Sequence, residues 1–283
     1  MRVTSETIEI PKQAREVMIK YQEFFDQELP DRLFALYLVG SIALGAYVEN
    51  VSDIDFVVII NKKLNASEWK QTQKVHKKIT RVFPGIVLDG SYLTLNQIGK
   101  SSQDIGEFPY FSDGKLNYGK DSGNACIVTW FVLEKHGITI FGPQPANLDF
   151  TVDERLLLQY LYDNVNTYWE KWVDGLKSKG SVSRITGLFG KETEWGVLGI
   201  ARLYYTFLEK DITSKIHAGE YLVGKTPVKY ETIVNEAIRI RKKEDGRYYH
   251  SPWKRRKDLI SFMEFMIREC NAIYRKSEEL SHM

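Results

Sequence analysis

Apolar positions change their period midway along the chain. Up to about residue 141 they fall mainly in short runs rich in β-branched residues, and beyond about residue 150 they recur every three to four positions. Leu33–Val39, Phe56–Ile60 and Ile86–Leu95 read as buried strands, and Ile138–Phe141 as a shorter one. Around them helices are predicted. Pro11–Leu29 carries Ala14, Val17, Met18, Tyr21, Phe24 and Phe25 on one stripe. Asn65, with Glu68 three residues on, forms a capping box for Ala66–Arg81. Asn124–Lys135 closes on Lys135-His136-Gly137, where His136 reads as a cap-neutralising residue and not a catalyst. Gln97–Asp121 is turn-rich, shows no period and reads as a long loop. Its Tyr110, Phe111 and Tyr118 either stack on a ligand or pack the loop down.

Gly142-Pro143-Gln144-Pro145 breaks both helix and strand and is the clearest seam. It divides the chain into expected domains 1–148 and 149–283. In the second, Thr151-x-x-Glu154 opens a helix to about Leu176, bearing Leu156, Leu157, Tyr160, Leu161, Val165 and Tyr168 on a stripe. A polar, Gly-rich linker, Lys177–Lys191, follows. Thr193–Lys210 is a second helix with Trp195, Leu198, Ala201, Tyr205 and Leu208. Further helices are expected near Ser214–Val223, Tyr230–Lys242 and Trp253–Lys276. The fold class is therefore α+β, a mixed-sheet domain followed by a C-terminal helical bundle.

Composition narrows the function classes. At 283 residues, 43 % hydrophobic and 27 % charged, the chain can bury a substantial core. The formal charge is only +2, from 39 basic and 37 acidic residues, so no global field calls for nucleic acid. Lys70, Lys74, Lys77 and Lys78 read as a solvated helix face. Arg239–Lys257 is the one concentrated basic stretch, either a groove for a polynucleotide or a solvated helix end and loop. Cys126 and Cys270 lie far apart, outside zinc-ligand spacing, which suits a reducing compartment. Met1–Pro11 has no apolar core of a leader, and no run reaches the length of a membrane helix. A cytoplasmic monomer without membrane partners is the expectation.

The stretch with chemistry is Leu36–Ile60. Gly40-Ser41 follows directly on a strand and opens a short helical segment, so backbone N–H groups can face an anion. Asp53 and Asp55 stand at i and i+2 at the head of the next strand, which puts both carboxylates on one face. Paired hard oxygen ligands beside such a cradle suit a magnesium-bound nucleotide. A bland alternative makes them polar residues of a strand–turn–strand; the strand, the Gly-Ser step, the gap and the second strand together favour the site. Asp89 lies in the middle of the Ile86–Leu95 strand, where a carboxylate is costly unless it is paired or ligating. It reads either as the site's third carboxylate or as an Asp at a bulge beside Gly90.

Gly40-Ser41, the gap and Asp53-Ile54-Asp55 resemble the signature of the nucleotidyltransferase superfamily with the polymerase-β type fold. Gly199–Leu222 resembles the C-terminal helical domain of the aminoglycoside adenylyltransferases that modify streptomycin and spectinomycin, in which an Arg before aromatics precedes a Ser/Pro-Lys-x-x-Ala stretch. The resemblance implies ATP as co-substrate, held by Gly40, Ser41 and Ser52, with Mg²⁺ at Asp53 and Asp55. It further implies that Arg202 and Lys215 contact the triphosphate. An Arg in an otherwise apolar helix needs a negative partner in any case, phosphate or an internal Glu. Asp89 would act as base toward the acceptor hydroxyl or as a further metal ligand; drug-modifying relatives usually carry Glu there. Trp169, Trp172 and Asp174 stand near the place of drug-contacting residues, and Lys177–Lys191 is an insertion. Transfer of AMP to an aminoglycoside, a resistance activity, is thus expected. The alternatives are another acceptor (a lincosamide, a protein or an RNA end) or an inactive toxin–antitoxin module, against which the intact Asp53, Asp55 and Asp89 speak.

Overall fold

The computed structural model describes residues 9–49, 52–112, 114–120, 123, 125–178 and 182–281. The expected helix start at Asn124, the expected loop end at Asp121 and most of Met1–Pro11 lie outside them. Two compact units result, Met1–Val152 and Asp153–Met283. Among the described residues no helix is long and apolar enough to cross a membrane.

The first unit is a six-stranded mixed sheet in the order β5-β4-β3-β2-β1-β6. Its strands are β1 (Leu33–Leu38), β2 (Ile54–Ile60), β3 (Leu88–Thr94), β4 (Phe108–Ser112), β5 (Lys115–Gly119) and β6 (Ile138–Phe141). Only β2 and β3 run parallel. Their crossover is α3 (Ala66–Val82), whose start has the reciprocal Asn65–Glu68 cap that the sequence predicts. Glu68 also pairs with Arg32, tying the cap to the strand-side chain. Strand alternation sends Ile54, Phe56, Val58 and Ile60 to one face, where they meet α1 (Lys12–Glu28) and α3 in the core. Tyr21, His76 and Tyr92 thread that core with hydrogen bonds of 2.6 and 2.5 Å between hydroxyl and hydroxyl or ring nitrogen. Asp55 and Asp89 belong to the other face. The first unit is completed by the short helices α2 (Gly40–Ala43) and α4 (Ser102–Ile105) and by α5 (Ile127–His136), which buries Trp130, Phe131, Val132 and Leu133.

Gln97–Asp121 is not a structureless loop: it contains α4 and the β4–β5 hairpin, with Phe108 and Phe111 buried. Asp113-Gly114 between two apolar–polar runs is the hairpin signal that marks it, and Gly114 adopts φ +74°. The Gly142–Pro145 segment falls in the expected first domain. It stays with the first unit, where Tyr37 donates its hydroxyl to the Pro143 carbonyl at 2.7 Å, and the units part only after Val152.

The second unit is helical: α6 (Glu154–Asn164), a π-helical stretch Val165–Trp169, α7 (Glu170–Lys177), α8 (Val182–Thr186), α9 (Gly190–Glu209), α10 (Lys215–Leu222), α11 (Glu231–Lys242) and α12 (Pro252–Ser281). Asp153, not Thr151, caps the first of them, accepting from the Arg155 N–H at 2.8 Å. The predicted linker Lys177–Lys191 holds α8 and the start of α9. Gly196 and Gly199 make α9 the hub: a Cβ on either would meet the Trp172 or Trp169 indole at 2.5 Å, so only glycine admits both rings. Fully buried Glu236 of α11 accepts from Arg239 at 2.9 Å and from the Tyr248 backbone N–H at 3.1 Å, and pairs with Arg255 of α12.

That buried carboxylate sets a stability expectation. Burial opposes its charge, but Arg239, the Tyr248 N–H and Arg255 outweigh it and hold its pKa below the ordinary value. A lowered folded pKa contributes stability above the usual carboxylate range, lost as pH falls through the folded value. Glu236→Gln is expected to cost about 3–5 kcal/mol at neutral pH, read from urea midpoints, and the gap to wild type should narrow in acid. Equal midpoints at neutral pH would contradict it.

Candidate functional site

Parallel pairing of β2 with β3 sets Asp55 opposite Asp89, Cα to Cα. In a parallel pair such partners point to the same face, so two half-buried carboxylates stand side by side on adjacent strands. Asp53, exposed, immediately precedes β2. Its charge and that of Glu49 add to burial in raising the pKa of the Tyr47 phenol. The three aspartates named from sequence therefore stand at the head of two neighbouring strands.

Gly40 explains the Asp55 position. It adopts φ +58°, and a Cβ there would lie 2.6 Å from Asp55 Cγ and 2.8 Å from Asp55 Cβ. The carboxylate occupies the space that any other residue's side chain would need. The Val39 N–H also donates to the Asp55 carbonyl at 3.0 Å, fixing the step from β1 into α2 against β2. Next in line, Ser41 has its hydroxyl buried, with no hydrogen-bond partner among the described residues. A buried orphan hydroxyl beside paired carboxylates fits a ligand that brings its own acceptors, such as a phosphate chain. Ser52 accepts from the Val48 N–H at 3.1 Å, closing the loop before Asp53 and keeping its own O–H to donate.

Among the described residues no group of three or more His, Cys, Asp or Glu side chains could hold a metal ion by itself. The carboxylates still fit Mg²⁺, which keeps several waters and binds through one or two carboxylates plus substrate phosphates, not in an all-protein cage.

In the second unit Arg202 of α9 and Lys215, the first residue of α10, lie close enough for one charge to act on the other. Two further residues join them. Lys215 pairs with Glu194 at 3.5 Å, and Arg241 of α11 pairs with the same carboxylate at 3.2 Å. Burial, then the charge of Arg202, lowers the Lys215 pKa, and Glu194 only partly offsets this. Lys215 and Arg241 thus share the one Glu194 carboxylate, with Arg202 close enough to act on Lys215. The sequence pointed to Arg241 only as one of many cations in Arg239–Lys257. The structure disperses that stretch: Arg239 and Arg255 go to Glu236, Lys242 to Glu220, Lys254 to Asp258 and Arg256 to the Leu176 carbonyl. This is not the continuous groove a polynucleotide would need.

The aromatic assignments separate. Trp169 is 4 % exposed and packs on Gly199, Trp172 packs on Gly196, and Asp174 pairs with Lys177 at 3.0 Å. Trp195 and Tyr168, two rings that neighbour Trp169, are accessible instead. The sequence placed both on apolar stripes, yet each is 43 % exposed.

Comparison with known proteins finds one family match within each unit. Residues 18–109 match the nucleotidyltransferase domain, and residues 168–269 match the C-terminal domain of aminoglycoside adenylyltransferases. The spectinomycin adenyltransferase AAD(9) from Enterococcus faecialis, solved with ATP and spectinomycin, has a similar fold. Its TM-score is 0.65 at 12 % identity, over 90 % of this chain and 98 % of that one. No curated protein sequence matches the chain.

The Gly40–Asp55 contact can be tested without any ligand. Gly40→Ala is expected to destabilise the protein by more than about 1 kcal/mol, since both φ and the space oppose a side chain. In an Asp55→Ala background the cost should fall, giving a coupling of about 1 kcal/mol or more in a double-mutant cycle. Additive effects would mean the two residues do not meet.

Proposed function

Because the chain joins a nucleotidyltransferase domain to the C-terminal domain of the aminoglycoside adenylyltransferases, we propose that it transfers AMP from ATP to a hydroxyl of an aminoglycoside-type antibiotic, releasing pyrophosphate. The observation that carries this reading is the β2–β3 register, which sets Asp55 beside Asp89. The ATP and spectinomycin held by AAD(9) make those two the natural first co-substrate and acceptor to try.

Each residue then has a role. Gly40 and Ser41 cradle the triphosphate, with Ser41 donating the hydroxyl that has no internal partner and Ser52 helping. Asp53 and Asp55 would hold Mg²⁺, which when bound supplies charge neutralisation at the phosphates. Asp89 accepts the proton of the acceptor hydroxyl as its oxygen attacks the α-phosphorus and the bond to pyrophosphate breaks. Arg202, Lys215 and Arg241 neutralise the charge that collects on the leaving β and γ phosphates. Most of the rate comes from positioning and electrostatics, as in phosphoryl transfer generally.

The test is turnover on a panel of aminoglycosides with ATP and Mg²⁺, read by pyrophosphate release and by a product mass heavier by one AMP. At least one streptomycin- or spectinomycin-class drug should be modified, and Asp53→Asn should abolish the reaction while the protein stays folded. Arg241→Ala should raise the KM for ATP about 10- to 100-fold, the value of one hydrogen bond to a charged group. A panel without product, or modification of lincosamides alone, would overturn the acceptor assignment.

A further inference from the structure

The lysines of α3 divide between two surroundings. Lys74 and Lys78 pair with Glu28 at 3.7 and 2.7 Å. Lys77, with Arg81 one turn on, instead borders a cleft of about 560 Å³ between α3 and the β4–β5 hairpin, the size of a small-molecule site. Lys115 of β5 lines the same cleft, and Phe111 and Leu116 give it an apolar wall. Lys77, Arg81 and Lys115 make no ion pair among the described residues, and the other polar lining groups, Gln73, Thr80 and Asn117, are uncharged. Like charges one turn apart on a helix repel. Three such cations without a carboxylate call for an anion from outside.

The cleft also holds a buried donor. His76 lines it at 3 % exposure, stacked on Phe111 with ring centroids 3.6 Å apart. Its Nε2 is bonded to the Tyr92 hydroxyl, which is bonded in turn to that of fully buried Tyr21. When Tyr21 donates to Tyr92 and Tyr92 to Nε2, both O–H groups are used. The reverse order strands the Tyr21 proton in the core. Burial pushes the His76 pKa down to about 3, so the ring is neutral and its one proton then sits on Nδ1. That atom is buried and has no hydrogen-bond partner among the described residues.

We infer that this cleft binds a small organic anion with an apolar body. Lys77, Arg81 and Lys115 hold the anionic group, Phe111 and Leu116 take the body, and the His76 Nδ1–H donates to the ligand. The site is separate from the aspartates. Phe111 is the register partner of Gly90, which alternates with Asp89 along β3, so the cleft belongs to the opposite sheet face. It therefore lies outside the adenylyl-transfer reading and does not depend on it.

The probe is 8-anilinonaphthalene-1-sulfonate, an aromatic body with one anionic group, titrated by fluorescence into the full chain. N-phenyl-1-naphthylamine, the same rings without the sulfonate, is its neutral counterpart. The sulfonate should bind about tenfold or more tightly than the amine, the worth of one hydrogen bond to a charged group. Arg81→Gln with Lys115→Gln, both exposed side chains, should weaken the sulfonate by about tenfold or more. Lys74→Gln with Lys78→Gln removes the same charge outside the cleft and should leave its affinity unchanged. In ¹⁵N NMR the His76 proton should reside on Nδ1, and its resonance should move when the sulfonate is added. Equal affinity for the amine, an equal loss in the Lys74 and Lys78 variant, an unmoved His76 resonance or no binding of the sulfonate would each overturn the site.

Discussion

The first unit is organised around a contact that leaves no room for a side chain. Asp55 reaches across from β2 into the space where a Cβ of Gly40 would be, and Gly40 can leave that space open only at φ +58°. The backbone bond from Val39 to the Asp55 carbonyl locks the same step. From it follow the direction in which β1 turns into α2, the burial of the Ser41 hydroxyl and, through the parallel register, the place of Asp89 beside Asp55. The opposite sheet face is given to packing, with Phe56 and Tyr92 taken up by α1 and α3. One face is packed into the core and the other presents Asp55 and Asp89 side by side.

In the second unit, carboxylates hold neighbouring cations close together. Glu194 serves Lys215 and Arg241 together, while Glu236 takes Arg239 and Arg255 away into a buried knot. The two carboxylates thus divide these cations into two separate clusters. Breaking the knot around fully buried Glu236 costs stability, and the Lys215–Glu194 pair is only somewhat less deeply buried.

Much of this was legible in the chain. Gly40-Ser41 and Asp53-x-Asp55 are local in sequence, so spacing alone brings them together, and the capping box at Asn65 is equally local. Asp89 was legible because a carboxylate inside an apolar strand asks for a reason. The β4–β5 hairpin was missed because the strands are short and carry Pro109 and polar residues, although Asp113-Gly114 marks the turn. Arg241, Glu194 and Trp195 were not legible as a group. They lie on different helices or on an apparent packing stripe, and only the packing of α9, α10 and α11 brings them to Lys215. Trp169 and Trp172 show the reverse case: aromatic residues near a binding motif whose rings are spent on Gly199 and Gly196.

We propose that Asp55 and Asp89, which share a register, divide metal binding and proton transfer between them. The most direct measurement is the affinity for Mg-ATP, by titration calorimetry, of wild type, Asp55→Asn and Asp89→Asn, with turnover on the same preparations. Asp55→Asn should lose both affinity and turnover. Asp89→Asn should keep Mg-ATP affinity nearly unchanged while turnover falls by roughly 10²–10⁴, the worth of a positioned base. A loss of affinity in Asp89→Asn as large as in Asp55→Asn, or turnover left intact, would contradict the account.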